Sequence, residues 1–280
     1  MKKRLPTLFF ILVFLTGLSL LLYPTVSDWW NSLHQSRAIA SYTQEIANMD
    51  DAKYEQLLKD AQAYNETLTK RTGDRFTLSD EELSEYNAVL DVSGTGIMGY
   101  IEIPVLQTKL PVYHGTGNAV LSTGVGHIEG SSLPVGGEST HCVLSGHRGL
   151  PSAKLFTNLD LLVEGDTFLL HTLDETLTYE VDQIRIVMPQ ETSDLYIEEG
   201  MDYCTLVTCT PYGVNTHRLL VRGHRIETEK AQQTVRVTAD AIQIEPLLVA
   251  PFAAIPLLLV LLVALLFKTR KKKPKKKGSE

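Results

Sequence analysis

The chain has 280 residues, with 26 Lys and Arg against 33 Asp and Glu, a formal net charge of −7, and 44% hydrophobic residues. This acidic balance argues against a nucleic-acid partner, whose expected footprint is a basic patch. Its three cysteines, Cys142, Cys204 and Cys209, are too few and odd in number for a disulfide framework, so at least one thiol stays unpaired.

The chain opens with a basic stretch, MKKR (1–4), followed by an uncharged apolar run over 5–23 that is about the length needed to cross a bilayer. A second uncharged run, LLVAPFAAIPLLLVLLVALLF (247–267), precedes a basic tail (268–280). Both runs carry their positive flank on the terminal side. The positive-inside rule therefore predicts two membrane spans, both termini in the cytoplasm and residues 24–246 outside. A cleaved signal peptide is the alternative for the first run. YPTVSDWW suits cleavage poorly, and Trp29 and Trp30 read as an interfacial anchor, which favours a retained helix or signal anchor. The segment between the spans carries 15 basic and 32 acidic residues. The basic tail then reads as a topology signal and an anionic-lipid contact.

Residues 24–96 read as a helical extension. Ser27 is placed to cap a helix beginning DWWNSLHQSRAIASYTQEIA. The helical spacing of Tyr54, Leu57, Leu58, Ala61 and Tyr64 predicts a second helix. Ser79 and Glu82 form a capping box for a third, with Leu83, Tyr86 and Leu90 on its apolar face. From 97 to 228 the texture changes to short strands with turns between them. IMGYIEIP, KLPVYHG, THCVLSGH, DTFLLHT, TLTYEVDQIRIVM, YCTLVTCT and THRLLVRGHR are the strands, and SAKLFTNLDLL offers a helical turn or two. Many short strands predict a sandwich or barrel. Residues 229–246 read as a linker to the second span.

TLVTCTPYGVNTHRLL raises the chemical question. Cys209 can be a buried small hydrophobe, half of a disulfide, a metal ligand or a nucleophile. Strand alternation puts it on one face with Val207 and Thr205, and puts Cys204 on the other with Leu206 and Thr208. That disfavours a Cys204–Cys209 disulfide and a chelating pair. PYGVN turns the chain so that Arg218 lies beside Cys209 on the returning strand, with His217 on the opposite face. A thiolate is favoured by nearby positive charge, and acyl transfer needs an oxyanion donor and a proton carrier. Arg218 suits the former role. Among eight histidines, His147 is best placed for the latter, in the glycine-flanked SGHRG at a strand end. His141, His171 and His217 lie within strand runs, and His114, His127 and His224 stay open on pattern alone.

GYIEIP, LPVYHGT, GVGHIEGSSLPVGGESTHCVLSGHRGLPSAKLF and VTCTPYGVNTHRLLVRG, together spanning about Gly99 to Arg225, resemble the sortases, cysteine transpeptidases of Gram-positive cell surfaces. They are most similar to the pilus-assembling class, class C. The resemblance implies an eight-stranded sortase β-barrel with an N-terminal helical extension and a transmembrane helix near each end. It implies Cys209 as nucleophile, His147 as general acid/base and Arg218 as the group that holds substrate or oxyanion. The implied substrate is an LPXTG-type sorting signal on a pilin or surface protein, cleaved between Thr and Gly. A thioacyl intermediate is then passed to a pilin lysine. No metal or organic cofactor is required. Two other readings stay open: a housekeeping sortase that uses a cell-wall amine, and a surface binding module without chemistry.

Class C enzymes usually carry a lid with an Asp-Pro-aromatic motif. The corresponding place here, within 73–80, reads GDRFTLSD, with Asp74 and Phe76 at the motif's outer positions and Arg75 in place of proline. Arginine leaves φ free where proline fixes it, which predicts a less rigid lid. The alternative is a plain loop between helices.

Overall fold

The computed structural model describes residues 5–71 and 73–228. The second apolar run and the basic tail lie outside the described residues. Residues up to Asp28 and those from Trp29 belong to separate compact units.

Helix α1 runs Leu5–Ala47 with Pro24 inside it. The expected new start at Ser27 is therefore corrected. A side-chain cap is needed only where the first N–H groups lack an upstream carbonyl, and here the preceding turns supply those carbonyls. Pro24 removes its own donor and crowds the carbonyl four residues back, yet the helix continues through it. The N-terminal part is long and apolar enough to cross a membrane, and Phe9, Leu12 and Leu20 are exposed.

The C-terminal half of α1 belongs to the second unit. Buried Tyr42 ties it to the barrel: its hydroxyl donates to the Met98 carbonyl (3.1 Å) and accepts from Leu173 N–H (2.7 Å). Burial pushes that phenol well above its ordinary range. Helix α2, Asp51–Thr69, is capped by Asp50, which accepts from Lys53 N–H (2.8 Å). Its buried Asn65 pairs with both backbone groups of Leu133. Helix α3, Asp80–Ala88, starts on the Ser79/Glu82 capping box that the sequence predicts.

Eight strands follow: β1 Ile97–Ile103, β2 Thr108–His114, β3 Val125–His127, β4 Thr140–Ser145, β5 Thr167–Thr172, β6 Glu175–Val187, β7 Asp202–Thr210 and β8 His217–Ile226. They close into a barrel in the order β1-β2-β3-β4-β7-β8-β6-β5, with β5 returning to β1. Pairs β2–β3 and β4–β7 are parallel and the others antiparallel. Seven strands match the runs read from the sequence. Strand β3 carries no periodic signal, being three residues long with a central glycine. Gly126 is required there, because a Cβ would sit 2.3 Å from the Gly115 carbonyl oxygen. The expected helical turn in SAKLFTNLDLL is a 3-10 turn at Leu159–Leu161.

Alternation sorts the wall residues. Ile101, Cys142, Leu144, Phe168, Tyr179, Cys204, Leu206, Leu219 and Val221 point into the main core. Val143, Val207 and Leu220, on the other face of β4, β7 and β8, join Leu195 in a small second cluster. This outer cluster forms the floor on which the candidate site is built.

Candidate active site

Cys209 lies near the end of β7, directly opposite Arg218 of β8 in the antiparallel register. Both share the outer face with Val207 and Leu220, which precede Cys209 and follow Arg218 by two residues. Cys209 is half-buried and is a free thiol. The Arg218 guanidinium bonds to the His217 carbonyl (3.1 Å) and more loosely to that of Asn215 (3.4 Å). These contacts hold it at the mouth of the hairpin.

His147 arrives from the other side. Strand β4 runs parallel to β7 with Ser145 opposite Val207. The next residue continues this pairing: Gly146 N–H donates to Val207 O (3.0 Å), and Thr208 Oγ1 donates to Gly146 O (2.7 Å). His147 follows one residue further, two residues past the end of β4, the strand that neighbours the Cys209 strand. Only glycine fits at 146, since a Cβ would lie 2.5 Å from the Phe156 ring. The His147 carbonyl accepts from Phe156 N–H (3.1 Å). Cys209 and Arg218 thus face each other across β7 and β8, and His147 leaves the end of β4, the strand that pairs with β7 on its other edge.

Most other barrel histidines are committed elsewhere. Both ring nitrogens of buried His141 are bonded, to the Tyr196 carbonyl (2.8 Å) and the Thr205 hydroxyl (2.7 Å). Burial drives its pKa down to about 4, so the ring is neutral at pH 7. Buried His127 bonds to Tyr86 (2.9 Å) and the Ser132 carbonyl (2.8 Å). His114 bonds to the carbonyls of Gly96 and Val89, and His171 stacks on Tyr100. Burial lowers the pKa of both. His217 contacts Thr216 at the surface, and His224 lies 4.0 Å from Asp182.

Cys142 and Cys204, which the sequence leaves without a role, are direct partners across β4 and β7, and both are buried free thiols. Burial raises the Cys204 thiol well above the ordinary range. Neither is presented to a reagent from solution. No cluster of three or more His, Cys, Asp or Glu suited to a metal occurs among the described residues.

The 73–80 segment crosses the outer cluster. Phe76 packs against the group formed by Val143, Leu195, Val207 and Leu220, and meets Tyr196 edge-on at 5.8 Å. Asp74 binds within its own turn, accepting from Thr77 Oγ1 (2.7 Å) and Phe76 N–H (3.0 Å). The Thr77 bond, then the Phe76 bond, hold its carboxyl below the usual range. Arg75 is only 4% exposed. It donates to the Leu68 carbonyl at the end of α2 (2.7 Å) and lies 5.5 Å from the Tyr196 ring centre. Its own carbonyl rests on Gly130, where a Cβ would approach to 1.9 Å. The expectation of a less rigid lid concerns the backbone freedom of Arg75 relative to proline. The Arg75 side chain supplies a tether that the sequence pattern does not reveal, because it depends on partners from distant segments.

Comparison with known proteins agrees with this architecture. The family model described as Sortase domain matches residues 101–226. The crystal structure of sortase C1 from Streptococcus agalactiae is 53% identical, with a TM-score of 0.66, covering 68% of this chain and 98% of that one. Streptococcus pneumoniae sortase C is 46% identical (TM-score 0.62; 68% and 97% covered). Clostridium perfringens sortase C, solved with the C-terminal cell wall sorting motif, is 45% identical (TM-score 0.60; 69% and 99% covered). An eight-stranded closed barrel, a free thiol opposite an arginine on its wall and this degree of identity to three class C enzymes lead to one conclusion: the chain belongs to the sortase family of cysteine transpeptidases, in class C.

Proposed function

We propose that the protein is a membrane-anchored pilus sortase that acts on LPXTG-type sorting signals. The observation that carries this reading is the Cys209–Arg218 register pair, with His147 two residues past the end of the strand that pairs with β7. Cys209 is the nucleophile: its thiolate attacks the Thr carbonyl between Thr and Gly. Arg218 holds the substrate backbone or the oxyanion that develops on that carbonyl. His147 protonates the departing glycine amine, without which the tetrahedral species would expel the thiolate again. A thioacyl enzyme remains. A lysine amine of a second pilin attacks it, Cys209 leaves, and an isopeptide bond joins the subunits.

The relatives support the substrate class. One was solved with a C-terminal cell wall sorting motif, and the pneumococcal enzyme is described in terms of pilin substrate specificity. The 73–80 segment acts as a lid, with Phe76 packed on the apolar cluster that holds Val207 and Leu220, the outer-face neighbours of Cys209 and Arg218 along their strands, and Arg75 as its tether. In the membrane, the apolar start of α1 (5–23) is a retained anchor and the 24–96 extension lies outside with the 97–228 barrel. A linker (229–246) leads to a second span at 247–267, and both termini are cytoplasmic. Protease digestion of intact and permeabilised cells, with tags at each end, tests this topology; a tag cleaved on intact cells would overturn it. Incubation with a candidate pilin bearing LPXTG, with mass spectrometry of the cross-link, tests the activity. A lysine–threonine isopeptide between pilins is expected. Transfer only to a cell-wall amine would instead make this a housekeeping sortase.

A further inference from the structure

We infer that Arg148 is a positioning residue that locks the His147 loop to the end of β7 and thereby sets the geometry between His147 and Cys209. The inference rests on the reading of Cys209 and His147 as the reacting pair. Upstream, the loop is held by the bonds of Gly146 to Val207 and Thr208. The His147 carbonyl also accepts from Phe156 N–H (3.1 Å), but none of these bonds ties the residues after His147 to the end of β7, which takes a further anchor.

Arg148 provides it. One guanidinium nitrogen donates to Thr210 Oγ1 (3.4 Å), the residue after Cys209, and the other to Asp160 Oδ2 (2.5 Å) in the 3-10 turn. The guanidinium lies 5.9 Å from the Tyr212 ring centre, in the loop that joins Cys209 to Arg218. Tyr212 in turn packs on Gly149, where an added Cβ would meet the ring at 3.1 Å. Gly149 N–H donates to Thr157 Oγ1 (3.2 Å). The residue next to the proposed base is thus bonded to the residue next to the proposed nucleophile. The same side chain braces three separate segments.

Two features argue that this is more than loop packing. The Arg148 side chain is 10% exposed, and its Nε is buried without a partner among the described residues. An orphaned buried donor is costly, and an apolar side chain would fill the space without that cost. The planar fork can reach Thr210 and Asp160 at once, which a lysine cannot do.

The test is thioacylation and full turnover of an LPXTG peptide by the full chain, comparing wild type with Arg148→Lys, Asp160→Asn and Asp160→Glu. Displacement of a proton carrier by an ångström or less costs roughly 10- to 100-fold in rate. Arg148→Lys is expected to lower kcat on that scale with KM nearly unchanged and to move a limb of the pH–rate profile. Asp160→Asn, at an exposed position, is expected to lower kcat in the same direction. Asp160→Glu is expected to restore most of it. Wild-type kcat and pH profile in both Arg148→Lys and Asp160→Asn would overturn the inference. So would a loss confined to KM, or one fully explained by a fall in folded protein. If the wild type forms no adduct at Cys209, the reacting-pair assignment itself falls; adducts formed equally fast by wild type and variants sink the positioning role alone.

Discussion

Replacing Arg75 by alanine should release the lid. The side chain makes a charge-assisted bond of 2.7 Å to the Leu68 carbonyl and stands over the Tyr196 ring at 5.5 Å. A hydrogen bond to a charged group contributes about 1.5–3 kcal/mol, and a cation–π contact contributes from about 0.5 kcal/mol when exposed to about 2 kcal/mol when desolvated. With partial compensation by water, roughly 2 kcal/mol of docking energy is lost, which raises the ratio of open to docked lid roughly 30-fold. The assay is the rate at which a maleimide alkylates the native protein. It reports on Cys209 alone, because Cys142 and Cys204 are 3% and 0% exposed. Arg75→Ala should accelerate labelling by about an order of magnitude or more, up to the intrinsic thiol rate. Cys209→Ala should not label. Equal rates in Arg75→Ala and wild type would refute the tether.

Other substitutions test neighbouring parts of the structure. Gly130→Ala should mimic Arg75→Ala in alkylation, since its Cβ would strike the Arg75 carbonyl at 1.9 Å; its φ of +82° adds about 1–2 kcal/mol of backbone strain, visible as a lower Tm. Gly146→Ala would push a Cβ to 2.5 Å from the Phe156 ring beside His147, and kcat should fall roughly 10-fold or more while Cys209 remains alkylatable. His141 gives a pH signature in stability. Its pKa is lowered from 6.5 to about 4 in the folded state, so below pH 6.5 the unfolded chain binds a proton that the fold does not. Stability is therefore complete above about pH 6.5 and falls by up to about 3 kcal/mol as pH drops towards 4. Denaturant titrations at several pH values should show this slope in wild type and a shallower one in His141→Gln.

The parts that the sequence makes legible are those carried by local pattern. The Ser79/Glu82 box marks the start of α3 because both halves of the cap lie within one turn. Alternation along β7 and the PYGVN turn together put Cys209 beside Arg218, and the observed register pairs those two residues. Parallel contacts are harder to read. Nothing local links Ser145 to Val207, so His147 stands out in the sequence only by its glycine-flanked context and by resemblance, whereas β4–β7 pairing puts the strand that leads into it beside the Cys209 strand. Three-residue β3 is too short to show a period. Cys142 and Cys204 meet across that same parallel pair, although they lie far apart in the chain. Arg75 and Arg148 look like ordinary surface charges, and their burial follows from partners contributed by α2, Tyr196, Thr210 and Asp160. At α1 the reading failed for another reason: Ser27 has cap chemistry, but an upstream helix already satisfies the groups it would cap.

The most direct measurement is intact-mass spectrometry of the enzyme after mixing with an LPXTG peptide in the absence of an acceptor amine. The wild type should gain the mass of the peptide acyl portion up to threonine, mapped to Cys209 and removed by hydroxylamine. Cys209→Ala should gain nothing, and His147→Ala and Arg218→Ala should acquire the adduct orders of magnitude more slowly. An adduct on any other residue, or undiminished acylation in Cys209→Ala, would contradict the catalytic assignment.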